Sequence, residues 1–99
     1  MVRTTVTDDP LIKQLRQQIS DTDRALVEAF NSRLRLVARL KSYKESRGID
    51  FLDPEREEWM LQYLSRANRG PLSHDGLKEL FEEILDLTKR EVQRGEEPS

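Results

Sequence analysis

The sequence contains no cysteine, and its 99 residues include only four glycines, four prolines and six aromatic residues. Without cysteine the chain can form neither a disulfide framework nor a thiolate metal site. No stretch approaches the roughly 18 consecutive apolar residues that a membrane span needs. The opening residues MVRTTVTDDP also lack the apolar run of a signal peptide. The length of 99 residues allows one domain, and these absences predict a cytoplasmic protein with no membrane partner.

Neither sign of charge predominates. Charged residues make up 36% of the sequence, but the net charge is only −2. Basic residues alternate with acidic ones, as on a solvated helical face, so we expect no nucleic-acid partner. The single histidine, His74, is expected to be a surface residue. No glycine-rich phosphate loop, zinc-protease motif or nucleophile elbow is present. We therefore expect neither a metal nor a cofactor.

The spacing of apolar residues predicts three helices and no strand. Asp9-Pro10 and Asp53-Pro54 each resemble a helix start, with aspartate as the N-cap and proline in the first helical position. Ser73 is expected to cap the third helix. The predicted helices cover residues 10–47, 54–69 and 74–94, within a domain at 9–94. Residues 1–8 are expected to be a flexible lead, and residues 95–99 a frayed tail.

The length of the first predicted helix indicates a second copy of the chain. Thirty-eight residues at about 1.5 Å each form a rod of about 57 Å. A compact chain of this size has a radius of gyration near 13 Å. The remaining residues cannot cover the apolar side of such a rod, so the sequence predicts a dimer with paired long helices. The alternative is a break near Ser42–Tyr43, which would give two ordinary helices in a monomer.

Basic residues on the long helix are candidates for binding a small anion. Lys44 follows Arg33 by eleven residues, which is about three helical turns, so both project from one face. They could lean together over a ligand, or both could extend into solvent. Arg16 precedes Arg33 by 17 residues, or about 25 Å, and is rotated by roughly 100°. Arg16 could therefore approach Arg33 only from the other chain of an antiparallel dimer.

An ordered set of residues resembles the all-α chorismate mutase family. The set begins with Leu15-Arg16, Ile19 and Asp23 and continues with Arg33, Lys44, Asp53 and Arg56-Glu57. The spacing fits the family without a gap through residue 57. The resemblance implies an intertwined, helix-swapped homodimer that rearranges chorismate to prephenate in aromatic amino acid biosynthesis. It also implies that Arg16 of each site comes from the partner chain.

The resemblance further implies a role for each site residue. Arg16 and Arg33 would hold the two carboxylates of chorismate, since a guanidinium bonds two oxygens at once. Lys44 would donate to a carboxylate and to the ether oxygen, where negative charge develops. Glu57 and the backbone of Asp53 would receive the ring hydroxyl. Arg56 would support the site at the start of the second helix.

The third helix departs from the family pattern, which has a hydroxyl residue followed by glutamine four residues later. Thr88 takes the hydroxyl position, but Val92 takes the glutamine position, and Gln93 lies about 100° further round the helix. Either the helix is shifted by one residue or this donor is absent. Loss of such a donor removes about 2.7–4 kcal/mol of transition-state stabilisation. We therefore expect a slower enzyme, or one that needs an activating partner protein.

Other functions are compatible with the same fold. Relatives act on isochorismate as a pyruvate lyase, or on 4-amino-4-deoxychorismate as a mutase. The Arg56-Glu57 pair favours the ring hydroxyl of chorismate. A non-catalytic helical dimer used for binding or regulation is an alternative of another class. The cations at Arg16, Arg33 and Lys44 argue against it.

Overall fold

The computed structural model describes residues 9–96 and contains three helices in this part of the chain. They are α1 (Pro10–Ser46), α2 (Pro54–Ala67) and α3 (His74–Glu96). No strand occurs among the described residues, so the predicted three-helix, all-α fold is confirmed. The predicted lead at 1–8 and residues 97–99 of the predicted tail lie outside the described residues. Helix α3 includes residues 95 and 96, where fraying was expected.

Side-chain caps explain where the three helices begin. The Oδ1 atom of Asp9 accepts hydrogen bonds from the backbone N–H groups of Leu11 (2.9 Å) and Ile12 (3.2 Å). The Oδ1 atom of Asp53 accepts from the N–H of Arg56 at 3.1 Å. At α3, the Oγ of Ser73 accepts from the third N–H of the helix at 3.0 Å. Each cap satisfies backbone donors that have no partner within the helix.

Helix α1 ends because Gly48 adopts a φ of +67°, a left-handed conformation that favours glycine. The N–H of Gly48 donates to the carbonyl of Glu45 at 3.2 Å, and the N–H of Ile49 donates to that of Lys44 at 2.9 Å. These bonds satisfy carbonyls of the last turn. The helix runs without interruption through Ser42 and Tyr43, so the alternative of a break there is wrong.

Helix α2 ends at Ala67, two residues before its predicted end. The backbone N–H of Asn68 closes the last turn on the carbonyl of Leu64 at 2.8 Å. The side chain of Asn68 then donates to the carbonyl of Leu72 at 2.9 Å and accepts from the N–H of Gly70 at 3.0 Å. The asparagine thus organises the connection to α3, which includes a cis peptide bond before a proline.

The chain divides into two units, Met1–Arg33 and Leu34–Ser99, with the boundary inside α1. In the second unit α2 packs against α3. Its buried apolar side chains in the described part are Leu77 (8% exposed) and Phe81 (5% exposed), both on α3. None of the described helices is both long enough and apolar enough to cross a bilayer.

Large apolar side chains remain exposed on the surface of the single chain. In the Met1–Arg33 unit they lie along α1, at Leu11, Leu15, Ile19, Leu26 and Val27. In the Leu34–Ser99 unit they include Leu36, Leu40, Leu52 and Trp59. Over the whole of α1 no residue is buried. An apolar stripe of this length is normally covered by another protein surface.

Candidate functional site

Lys44 joins the end of α1 to the segment that precedes α2. Its side-chain Nζ donates to the carbonyl oxygen of Phe51 at 3.3 Å, and its own carbonyl accepts from Ile49 N–H. The Lys44 side chain is half-buried. The structure therefore holds one predicted site residue, Lys44, close to the start of α2, where three others lie.

The start of α2 carries Asp53, Arg56 and Glu57 on one turn. The side chain of Asp53 is the helix cap, and its carbonyl accepts from the N–H of Glu57 at 3.1 Å. The guanidinium of Arg56 lies over the ring of Trp59, 4.4 Å from the ring centroid. This cation–π contact keeps Arg56 against its own helix. In this first turn the N–H groups of Arg56 and Glu57 are bonded to Asp53, and Pro54 has no N–H.

Glu57 forms an ion pair with Lys89 of α3, a residue that the sequence analysis missed. The Nζ of Lys89 lies 3.3 Å from Oε1 of Glu57. This contact connects the predicted hydroxyl acceptor on α2 with α3. Lys89 directly follows Thr88 and precedes Val92 by three residues, a spacing that places side chains on neighbouring parts of a helix face. That spacing was the available signal for finding it.

Thr88 is the most buried of the predicted site residues, with 4% of its surface exposed. Its hydroxyl donates to the carbonyl of Ile84 at 2.6 Å, one turn earlier in α3. This bond uses the hydroxyl proton within the helix, so the oxygen can serve a ligand only as an acceptor.

Val92 lies between two cavities of about 350 Å³ each in the Leu34–Ser99 unit. The cavity nearer to α2 is lined by residues from the end of α1, the connecting segment and α3. They are Lys41, Phe51, Leu52, Lys89, Val92 and Gln93. Val92 and Gln93 both border this cavity, and Val92 brings no donor to it. An open cleft with apolar side chains, two lysines and an amide is suited to a small anionic ligand.

Arg16, Asp23 and Arg33 belong to the Met1–Arg33 unit. Arg16 and Asp23 are exposed, and Asp23 borders a groove of about 230 Å³ with Leu15 and Ile19. Arg33 is half-buried, and burial lowers the pKa of its guanidinium from the ordinary value. An arginine nevertheless stays cationic in proteins. Because 17 residues of continuous helix, or about 25 Å, separate Arg16 from Arg33, one chain does not bring them together.

Comparisons with other proteins identify the family of this chain. Residues 15–93 match the family model of type II chorismate mutase. The chain is 36% identical over 83 residues to a bifunctional chorismate mutase/prephenate dehydratase from Pseudomonas aeruginosa, with 79% of this chain and 23% of that protein covered. It is 36% identical over 81 residues to the T-protein of Haemophilus influenzae, with 81% of this chain and 20% of that protein covered. The chain thus spans a quarter or less of the length of these relatives.

A solved structure of similar size shows the same fold. Form II of the chorismate mutase from Thermus thermophilus superposes with a TM-score of 0.79 at 31% sequence identity. The superposition covers 84% of this chain and 94% of that one. The matched range of the family model includes every predicted site residue from Arg16 to Val92. The chain therefore belongs to the type II chorismate mutase family.

Proposed function

We propose that this protein is a chorismate mutase that rearranges chorismate to prephenate. The observation that supports this most directly is the bond from Lys44 to the carbonyl of Phe51, which holds a half-buried cation against the segment that leads into α2. In the proposed site, the ammonium of Lys44 suits the anionic ether-bridged group of the ligand. The carboxylate of Glu57 suits its ring hydroxyl. Family membership over residues 15–93 supports the same assignment.

The proposed reaction is a unimolecular pericyclic rearrangement, so it needs no nucleophile and no proton transfer. The C–O bond of the ether bridge breaks while a C–C bond forms between the side chain and the ring. Arg16 and Arg33 hold the two carboxylates and so fix the compact conformer of the substrate. Lys44 stabilises the negative charge that grows on the ether oxygen. Because these groups are already positioned before the reaction, they accelerate it without any cofactor.

The remaining predicted residues complete the proposed site on the side of α2 and α3. The carboxylate of Glu57 and the backbone of Asp53 receive the ring hydroxyl. Arg56 supports the start of α2 through its contact with Trp59. Thr88 presents a hydroxyl oxygen as an acceptor, and Val92 contributes apolar contact only. Neither Thr88 nor Val92 offers a hydrogen-bond donor to a ligand, which supports the expectation of a slow enzyme, or of one activated by a partner protein.

We further propose that the active species is a homodimer with swapped long helices. The exposed apolar side chains along α1 support this, because a second copy of the same helix would cover them. The separation of Arg16 from Arg33 supports it as well, since each site then takes Arg16 from the partner. Chorismate is a small water-soluble dianion, and we place its conversion in the cytoplasm.

The direct test is to add purified protein to chorismate and follow the loss of chorismate absorbance, with product analysis. The expected product is prephenate. Release of pyruvate from isochorismate, with no turnover of chorismate, would instead assign the protein as a lyase. If no member of this substrate group is converted or bound, the non-catalytic helical dimer becomes the correct description.

A complementation experiment tests the shared site. Arg16→Ala and Lys44→Ala chains are each expected to be nearly inactive. Unfolding and refolding them together gives heterodimers with one intact site, because one chain supplies Arg16 and the other supplies Lys44. Random pairing should restore about a quarter of the wild-type activity. Absence of any recovery in a folded mixture would refute a site built from two chains.

A further inference from the structure

The ion pair between Lys89 and Glu57 differs from an ordinary surface contact in its location. It joins α3 to α2, whereas the ion pair of Lys41 and Glu45 lies within one helix. The side chains of Lys89 and Glu57 are 44% and 34% exposed. A pair this exposed contributes little to stability. Its carboxylate is nevertheless the group that the proposed function assigns to the ring hydroxyl.

Lys89 also borders the cavity that contains Val92 and Gln93. Its Nζ lies 3.3 Å from Oε1 of Glu57, and the residue itself lines a space available to a ligand. The carboxylate of Glu57 has about four lone-pair positions, so it can accept from Lys89 and from a ligand at the same time. A ligand group that bonds to Glu57 therefore binds a carboxylate that is already paired with the ammonium of Lys89.

We propose that Lys89 is a specificity-determining residue that acts through Glu57. It makes this end of the site select a neutral hydroxyl on the substrate ring and reject an ammonium group at the same position. This inference rests on the proposed function, because it requires Glu57 to receive the ring substituent of a chorismate-like substrate.

The selectivity follows from the charges. A hydroxyl donates one hydrogen bond to the carboxylate and carries no charge that Lys89 could repel. A protonated amine also donates, but it places a second positive charge beside the ammonium of Lys89. Placing like charges side by side is unfavourable and is a common way of rejecting a wrong ligand. Without Lys89 the unbalanced carboxylate of Glu57 would instead attract the amine.

The test compares chorismate with 4-amino-4-deoxychorismate, which carries an amine in place of the ring hydroxyl. The measured quantity is the inhibition constant of the amino compound against chorismate turnover, divided by KM for chorismate. Lys89→Met keeps the length of the side chain and removes its charge. Arg90→Met is the matched control, because it removes a neighbouring α3 cation whose Nε donates to the carbonyl of Asp86 at 3.4 Å. Lys89→Arg retains the charge.

In Lys89→Met this ratio should fall at least about tenfold, because the amine is no longer repelled. It should stay within about twofold of the wild-type value in Arg90→Met and Lys89→Arg. If a variant turns over chorismate too slowly for kinetics, the dissociation constants of chorismate and of 4-amino-4-deoxychorismate are measured directly. Circular dichroism shows whether each variant is folded.

Two results would overturn the inference while leaving the proposed function intact. One is a wild-type enzyme that converts chorismate and a folded Lys89→Met variant with an unchanged ratio. The other is an equal change in Arg90→Met, which would indicate a general effect of net charge. A wild-type protein that neither converts nor binds chorismate would refute the proposed function itself, and this inference with it.

Discussion

Replacing Val92 with glutamine is expected to increase the turnover of chorismate. The predicted alignment puts Val92 at the α3 position where the family pattern has a glutamine, and Val92 lines the same cavity as Lys89 and Gln93. The substitution would place an amide donor where negative charge develops on the ether oxygen. Because Val92 is only half-buried, the longer side chain needs no rearrangement of the Leu77 and Phe81 core.

The size of the gain can be worked out from two opposing effects. A positioned donor at such a site contributes about 2.7–4 kcal/mol to the stability of the transition state. Ordering a glutamine side chain costs up to about 2 kcal/mol of rotamer entropy. The adjoining cavity of about 350 Å³ has the volume of about twelve water molecules in the liquid, so it has room for the longer side chain. With the full entropy cost the difference is about 0.7–2 kcal/mol, which corresponds to a roughly 3- to 30-fold higher kcat.

The assay is the initial rate of chorismate loss at saturating substrate, for wild type, Val92→Gln and Val92→Met. The methionine variant is the control, because it has a similar length and no donor. Its kcat should stay within about threefold of the wild-type value, since it adds packing contact alone. If Gln and Met give equal rates in folded protein, the reasoning that an amide donor is missing at this position is refuted.

Three further substitutions test the site and the fold. Lys44→Met should lower kcat at least about a hundredfold in steady-state kinetics. Its helix content, measured by circular dichroism, should be unchanged. An unchanged kcat would show that Lys44 takes no part in the mechanism. In urea titrations at fixed protein concentration, Asp53→Ala should lower the free energy of unfolding by about 1 kcal/mol through loss of the α2 cap. The control Asp50→Ala should lower it by less than about 0.5 kcal/mol. Phe81→Ala should cost about 3–5 kcal/mol in the same titrations. Leu80→Ala is the control, because the side chain of Leu80 is 49% exposed. Equal losses in the free energy of unfolding for the two variants would contradict the described core.

Helix starts could be predicted from the sequence because the signals that set them are local. Asp9, Asp53 and Ser73 each bond to a backbone N–H two or three residues away, so a short stretch of sequence contains both partners. The end of α2 was harder to predict. Gly70-Pro71 marks a break, but the side chain of Asn68 bonds forward to Gly70 and Leu72 and ends the helix earlier. Such a bond depends on the path of the following chain.

The candidate site was predicted in its residue types but not in its contacts. Lys44 was chosen by its spacing from Arg33 and Glu57 by the family resemblance, and each forms a contact that neither signal reveals. The partner of Lys44 is a main-chain carbonyl in the connection between α1 and α2. The partner of Glu57 is Lys89, 32 positions later, which becomes its neighbour only because α2 packs against α3. Contacts between distant segments require the tertiary structure.

The bond from Lys44 to Phe51 constrains insertions more than substitutions. Every amino acid has a main-chain carbonyl, so changing the side chain at position 51 leaves the acceptor in place. An added or deleted residue in the short segment between them would move that carbonyl away from the ammonium. Variation among natural sequences should therefore change the number of residues in this segment more rarely than it changes their side chains.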